Sequence, residues 1–271
     1  MPVMRSLVET LDLPSQRLAR PAHPVRLARA LQAAAVGGLV WAVAMAVPLA
    51  GGALATTLGR SLEGTTVQAD IWISLAMLVG ALTSTIGLGH LARRDDRVLS
   101  SELGNAGRWL VFGGGIWLAA SIAQFIALGL GLDRLLQTSR TGIMFECLAV
   151  AVIGGSIASV GMRRILAVLG QRCRRYRVAA HARQSTELLA TTAAILLVAA
   201  LASHILPSLG YELLGISASA VTVISGAALV LGVVYFMLNS WWIANALLKP
   251  PPSMTDVVHI RREGASGESP N

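Results

Sequence analysis

Charge is scarce in this chain. Of its 271 residues only 13% are Asp, Glu, Lys or Arg, about half the share found in an average soluble domain. That shortage excludes a single solvated enzyme domain, and it excludes a disordered acidic tail. Cysteine is nearly absent as well: Cys147 and Cys173 lie in different environments with no metal-like spacing, so neither a disulfide framework nor a zinc site is expected. Aromatic residues make up 5%, and no separate basic domain offers them as a stacking platform, so nucleic acid is not an expected partner. Enzyme signatures are missing too. The chain has no His-Glu-x-x-His, no Gly-x-Ser-x-Gly elbow and no aspartate-rich lipid-phosphate motif. Gly113-Gly114-Gly115 lacks the Lys-Ser or Lys-Thr of a phosphate loop and is embedded in apolar sequence. The expectation is a protein that is not an enzyme and carries no cofactor.

What the chain has is apolar length. Hydrophobic residues make up 54% and the mean hydropathy is +0.65. Six runs are long enough to cross about 30 Å of hydrocarbon as helices of about 20 residues. They cover approximately 31 to 55, 71 to 92, 109 to 131, 143 to 163, 188 to 207 and 219 to 247. The fold class expected is therefore all-α, a polytopic membrane protein with six transmembrane helices in three consecutive hairpins (31–92, 109–163 and 188–247). An arm of residues 1–30 precedes them and a polar tail of residues 249–271 follows Pro250-Pro251-Pro252. The first 28 residues hold several arginines and no apolar region of a cleavable signal, so the first span is expected to stay in the membrane.

Cations set the expected orientation, because short loops rich in Lys and Arg stay cytoplasmic. The arm, the segment between spans 2 and 3, the connector 163–187 and the tail together hold 19 of the 22 basic residues; Arg60, Arg134 and Arg140 fall on the opposite side. Both termini are thus expected in the cytoplasm. The ratio of 21 arginines to one lysine, with abundant alanine, suggests a bacterial cytoplasmic membrane. The connector interleaves apolar residues with Arg163, Arg164, Arg172, Arg174, Arg175 and Arg177. It reads either as an amphipathic helix in the inner headgroup plane or as an extension of span 4, and its arginines are the expected contacts of anionic lipid.

The hairpins begin about 78 residues apart, and Gly37-Gly38-Leu39-Val40-Trp41 resembles Gly113-Gly114-Gly115-Ile116-Trp117. A parallel threefold repeat is one reading of that spacing; even loop lengths are the plainer one. Glycines number 27, and pairs such as Gly80/Ser84, Gly115/Ala119, Gly154/Ala158 and Gly155/Ser159 have the spacing that lets membrane helices approach closely. Thr83, Ser84, Thr85 and Ser121 are expected to bond carbonyls of their own helices, and Asp70 to cap span 2.

Polar residues within spans are the first candidates for function. Glu146 near the outer start of span 4, Gln124 in the outer half of span 3 and His204 near the outer end of span 5 share a similar depth. They form a candidate polar site if their helices are neighbours. The leading functional expectation is a scaffold or accessory subunit of a membrane assembly, with a protein partner or self-association in the membrane and a basic surface on anionic lipid. The alternative is a small-solute carrier or channel using those outer-half residues.

Overall fold

The computed structural model describes residues 23–58, 66–93, 104–129, 140–172 and 176–248. The arm before residue 23 and the tail after 248 lie outside these, as do Arg174 and Arg175. Six helices account for the described chain: α1 Pro24–Leu58, α2 Thr66–Ala92, α3 Ala106–Gly129, α4 Arg140–Arg172, α5 Tyr176–Ser208 and α6 Glu212–Leu248. All six contain a stretch long and apolar enough to cross a membrane, so the chain is an all-helical, multi-pass integral membrane protein. At 1.5 Å per residue, the 35 residues of α1 and the 37 of α6 exceed the roughly 30 Å of a hydrocarbon core. Both helices therefore project beyond it.

That excess length explains the differences from the sequence reading. Hydropathy registers only the part of a helix in oil, whereas backbone hydrogen bonding continues through the arginines. Helix α1 starts early enough to include Arg26 and Arg29. Within the connector, residues 163–172 belong to the end of α4 and 176–187 to the beginning of α5, with Ile165, Leu166 and Leu169 buried in the core. Asp70 lies inside α2, which begins at Thr66, and so does not cap it.

Local chemistry marks the remaining ends. Backbone N–H groups of Arg108 and Trp109 donate to the Asn105 carbonyl at the start of α3. Helix α5 ends in a paired C-terminal motif: Tyr211 N–H donates to the Leu206 carbonyl (2.9 Å) and Gly210 N–H to that of Pro207 (3.0 Å). The turn holds Gly210 at φ 86°, a conformation that costs glycine nothing sterically.

Each helix packs on its neighbours in sequence, and α6 packs on α1, which closes a ring. Closure rests on specific fits. Met237 of α6 covers Gly38 of α1, and Gln32 Nε2 donates to Asn245 Oδ1 across the same pair (3.3 Å). The start of α1 and the end of α6 thus share one face of the bundle, here called the terminal face. Outward-facing side chains are apolar, including Val198, Leu213, Ile224 and Leu231, each at least 69% exposed. This inverts the pattern of a soluble protein and suits a lipid surround.

Because lipid tails are as apolar as leucine, close packing rather than water exclusion must hold such helices together. Two glycine notches provide it. A Cβ on Gly37 would lie 2.5 Å from the Gly80 carbonyl oxygen, and one on Gly113 would lie 2.6 Å from that of Gly154. Each notch is reciprocal: a Cβ on Gly80 would meet the Trp41 backbone nitrogen at 2.8 Å, and one on Gly154 would meet that of Trp117 at 2.6 Å. The first two hairpins therefore share a contact pattern as well as a sequence likeness. The third departs from it, since Gly232 faces Leu189 rather than another glycine.

Candidate functional site

The notches fix where two tryptophans point. Residues four apart share a helix face, so Trp41 follows Gly37 and Trp117 follows Gly113 toward the interior. Their rings meet edge to face, with centroids 5.4 Å apart and planes at 88°, a favoured aromatic geometry. Both residues are 4% exposed, and neither indole Nε1–H has a hydrogen-bond partner.

Beside this pair lies a cavity of about 60 Å³ to which all six helices contribute. Its polar lining comes from the two indoles with Ser84, Ser156 and Ser159, and its apolar lining includes Leu88, Leu189, Phe236 and Met237. None of the described lining residues is charged. The serine protons are already committed. Ser84 Oγ donates to the Ala34 carbonyl (3.0 Å), Ser156 to that of Val152 (2.8 Å) and Ser159 to that of Ser156 (2.7 Å). The indole N–H groups are uncommitted, but both nitrogens are buried, and the cavity wall is almost wholly apolar.

Ser84 also corrects an expectation. It bonds across to α1 instead of back along α2, and Thr85 bonds across to the Gly114 carbonyl of α3 (3.2 Å). Adjacent hydroxyls of α2 therefore tie it to both neighbours, because the glycines of those helices bring foreign carbonyls within reach. Ser121 behaves as the sequence suggests and donates to the Trp117 carbonyl four residues back (3.0 Å).

The residues of the outer-half trio occupy different surroundings. Gln124 is 1% exposed and places Nε2 3.6 Å from Met77 Sδ, with Oε1 unpartnered. It lies seven residues after Trp117, hence on the same face of α3 and about 10 Å farther from the terminal face. Glu146 is exposed. His204 belongs to α5, but its side chain is outside the described residues. Sequence reasoning missed Asn239 of α6, which is fully buried with neither side-chain polar atom partnered. It sits three residues beyond Phe236 toward the terminal face.

Among the arginines named above, Arg163 pairs with Glu187 (3.5 Å), joining α4 to α5 where both side chains are partly exposed. Arg164 is exposed, while the side chains of Arg172 and Arg177 are outside the described residues. Near the start of α1 an open groove is lined by His23, Arg26, Arg29 and His90. Among the described residues, no three His, Cys, Asp or Glu side chains gather as a metal-binding set. Compared with known proteins, the chain matches no family model, no curated protein and no solved structure, so its own residues carry the functional reading.

Proposed function

We propose that this integral membrane protein is non-enzymatic and works as a small-solute carrier or channel whose binding point is the central cavity. The observation that carries the reading is a central cavity to which all six helices contribute, with two buried, unpartnered indole N–H groups among the residues around it. Leaving a buried donor unmet costs about 1–3 kcal/mol, and an apolar substitute would have avoided that cost. Gln124 on the far side of the pair and Asn239 on the terminal side add buried polar atoms at other depths, as a route across the ring requires. The cavity therefore takes the place of the outer-half trio as the favoured site.

Flux tests this reading. Gly155 lines the cavity, and a Cβ there would meet nothing within 4 Å, so Gly155→Leu adds bulk at the cavity from a position that is open at its first carbon. Proteoliposomes of the purified protein should take up formamide faster than empty vesicles in stopped-flow light scattering. The Gly155→Leu protein should lose that excess. Equal rates in all three preparations would refute the carrier.

A second reading, a scaffold or accessory subunit, is favoured by one feature. Gly115, Ala119 and Ala123 form an exposed stripe of small residues along α3, suited to another membrane helix. Under either reading we place the chain in a bacterial cytoplasmic membrane with both termini inside and its basic terminal face on anionic lipid. Native mass spectrometry after gentle extraction tests the scaffold, which requires a stable complex.

A further inference from the structure

At the terminal face, the line where α1 meets α2 opens into a groove that faces outward from the ring. Gly87 draws the two helices together beside it: a Cβ there would lie 2.6 Å from the Ala30 carbonyl oxygen and 2.5 Å from the Ala34 backbone nitrogen. His90, three residues after Gly87, lines the groove together with His23, Arg26 and Arg29. All four of these side chains are exposed, and no described acidic residue lines the groove. Its floor is different in kind, since Val25, Ala30 and Ala33 make it apolar. That floor continues into lipid-facing side chains. Val36 and Val40 follow Ala33 along one face of α1, and Ile86 lies one turn before His90 on α2; these three are 39–52% exposed. A cationic rim thus stands at the head of an apolar track that runs toward the middle of the membrane.

The geometry points to a binding site for an anionic phospholipid of the phosphatidylglycerol class, its phosphate held by Arg29 and His90 and its acyl chains laid along Val36, Val40 and Ile86. The guanidinium fork of Arg29 fits two phosphate oxygens, a histidine N–H donates to an oxygen in either protonation state, and Arg26 adds a second positive charge at the rim. Charge selects the headgroup. A zwitterionic phosphatidylcholine brings a cation of its own, which the rim repels. The apolar track selects a lipid over a free anion, because inorganic phosphate would use the cations and leave the track uncovered. This site rests on the placement of the terminal face against anionic lipid, and it holds equally for a carrier and for a scaffold.

Native mass spectrometry of the full chain, purified in detergent and titrated with phosphatidylglycerol or phosphatidylcholine, provides the test. One phosphatidylglycerol should stay bound at about a tenth of the concentration that phosphatidylcholine needs. Arg29→Gln should weaken its binding about tenfold, the weight of one charge-assisted hydrogen bond, and adding His90→Ala should weaken it further. Ala33→Phe obstructs the floor while leaving every cation in place, and it should weaken binding too. Arg108→Gln removes an exposed cation at the start of α3, at the same end of the bundle and outside the groove, so it should leave binding unchanged. Millimolar inorganic phosphate should not displace the lipid. Three results would each overturn the site. Equal losses in Arg108→Gln and Arg29→Gln would mean a diffuse basic face, with the placement of the terminal face left standing. Displacement by inorganic phosphate, or full retention in Ala33→Phe, would mean an anion held without its chains. Equal retention of the two lipids would remove the site and the placement together.

Discussion

Adding one methyl group at Gly37 or Gly113 should loosen the bundle, and the structure sets the size of the effect. A Cβ at either position would sit 2.5 or 2.6 Å from a carbonyl oxygen of the facing helix, where ordinary contact begins near 3.4 Å. The obstacle is backbone, which cannot swing aside, so the helices must separate by almost 1 Å. A gap of that order forfeits a quarter to a half of the dispersion energy of each affected atom pair, and overpacking of this kind costs about 1–3 kcal/mol. At Gly37 the separation also strains the Ser84–Ala34 hydrogen bond, worth about 0.6 kcal/mol in a membrane. Against this, alanine favours a helix over glycine by at most about 1 kcal/mol. The balance is a loss of about 2 kcal/mol, roughly thirtyfold in the folding equilibrium. Gly115→Ala is the internal control: it lies on the same helix as Gly113 with nothing within 4 Å of the added carbon, and it should be neutral or slightly stabilising. Steric-trap unfolding in bicelles reads all three. If Gly37→Ala and Gly113→Ala unfold as Gly115→Ala does, the notches do not hold the hairpins.

Gly210→Ala should destabilise the α5–α6 turn by about 1 kcal/mol, because φ 86° is strained for a residue with a side chain; the same unfolding assay measures it. Ser84→Ala and Thr85→Val each remove one interhelical bond, and each should cost about 0.6 kcal/mol, with the double variant close to additive. Breaking the partly exposed Arg163–Glu187 pair with Arg163→Gln should change stability by less than about 1 kcal/mol and matter less still in high salt. A loss of 3 kcal/mol there would mean the pair is more deeply desolvated than its exposure indicates.

The six spans were legible because crossing a bilayer requires about twenty uncharged residues in a row, and nothing else in a chain this poor in charge looks similar. Helix ends were less legible, since the arginines of α1 and α4 continue the helix after the apolar signal stops. Ring closure could not be read at all. It joins Gln32 to Asn245, 213 residues apart, and helices that are apolar on every side do not advertise which side meets a neighbour and which meets lipid. The cavity was half visible. The likeness between residues 37–41 and 113–117 singled out both tryptophans, but only the reciprocal glycine contacts bring their rings together. Asn239 was overlooked because one amide among apolar residues resembles any tolerated polar substitution until its burial is known. Gln124 was noticed for its depth, although its neighbour is Met77 of α2.

The ring encloses the cavity only if α6 closes on α1, and cross-linking tests that closure most directly. With Cys147 and Cys173 replaced by alanine, Gln32→Cys and Asn245→Cys should join through a short bifunctional thiosulfonate in native membranes. The product should be an intramolecular link in the monomer, formed in high yield and independent of protein concentration. Failure to link, or linkage solely between separate chains, would mean the ring is open and the cavity is not enclosed as described.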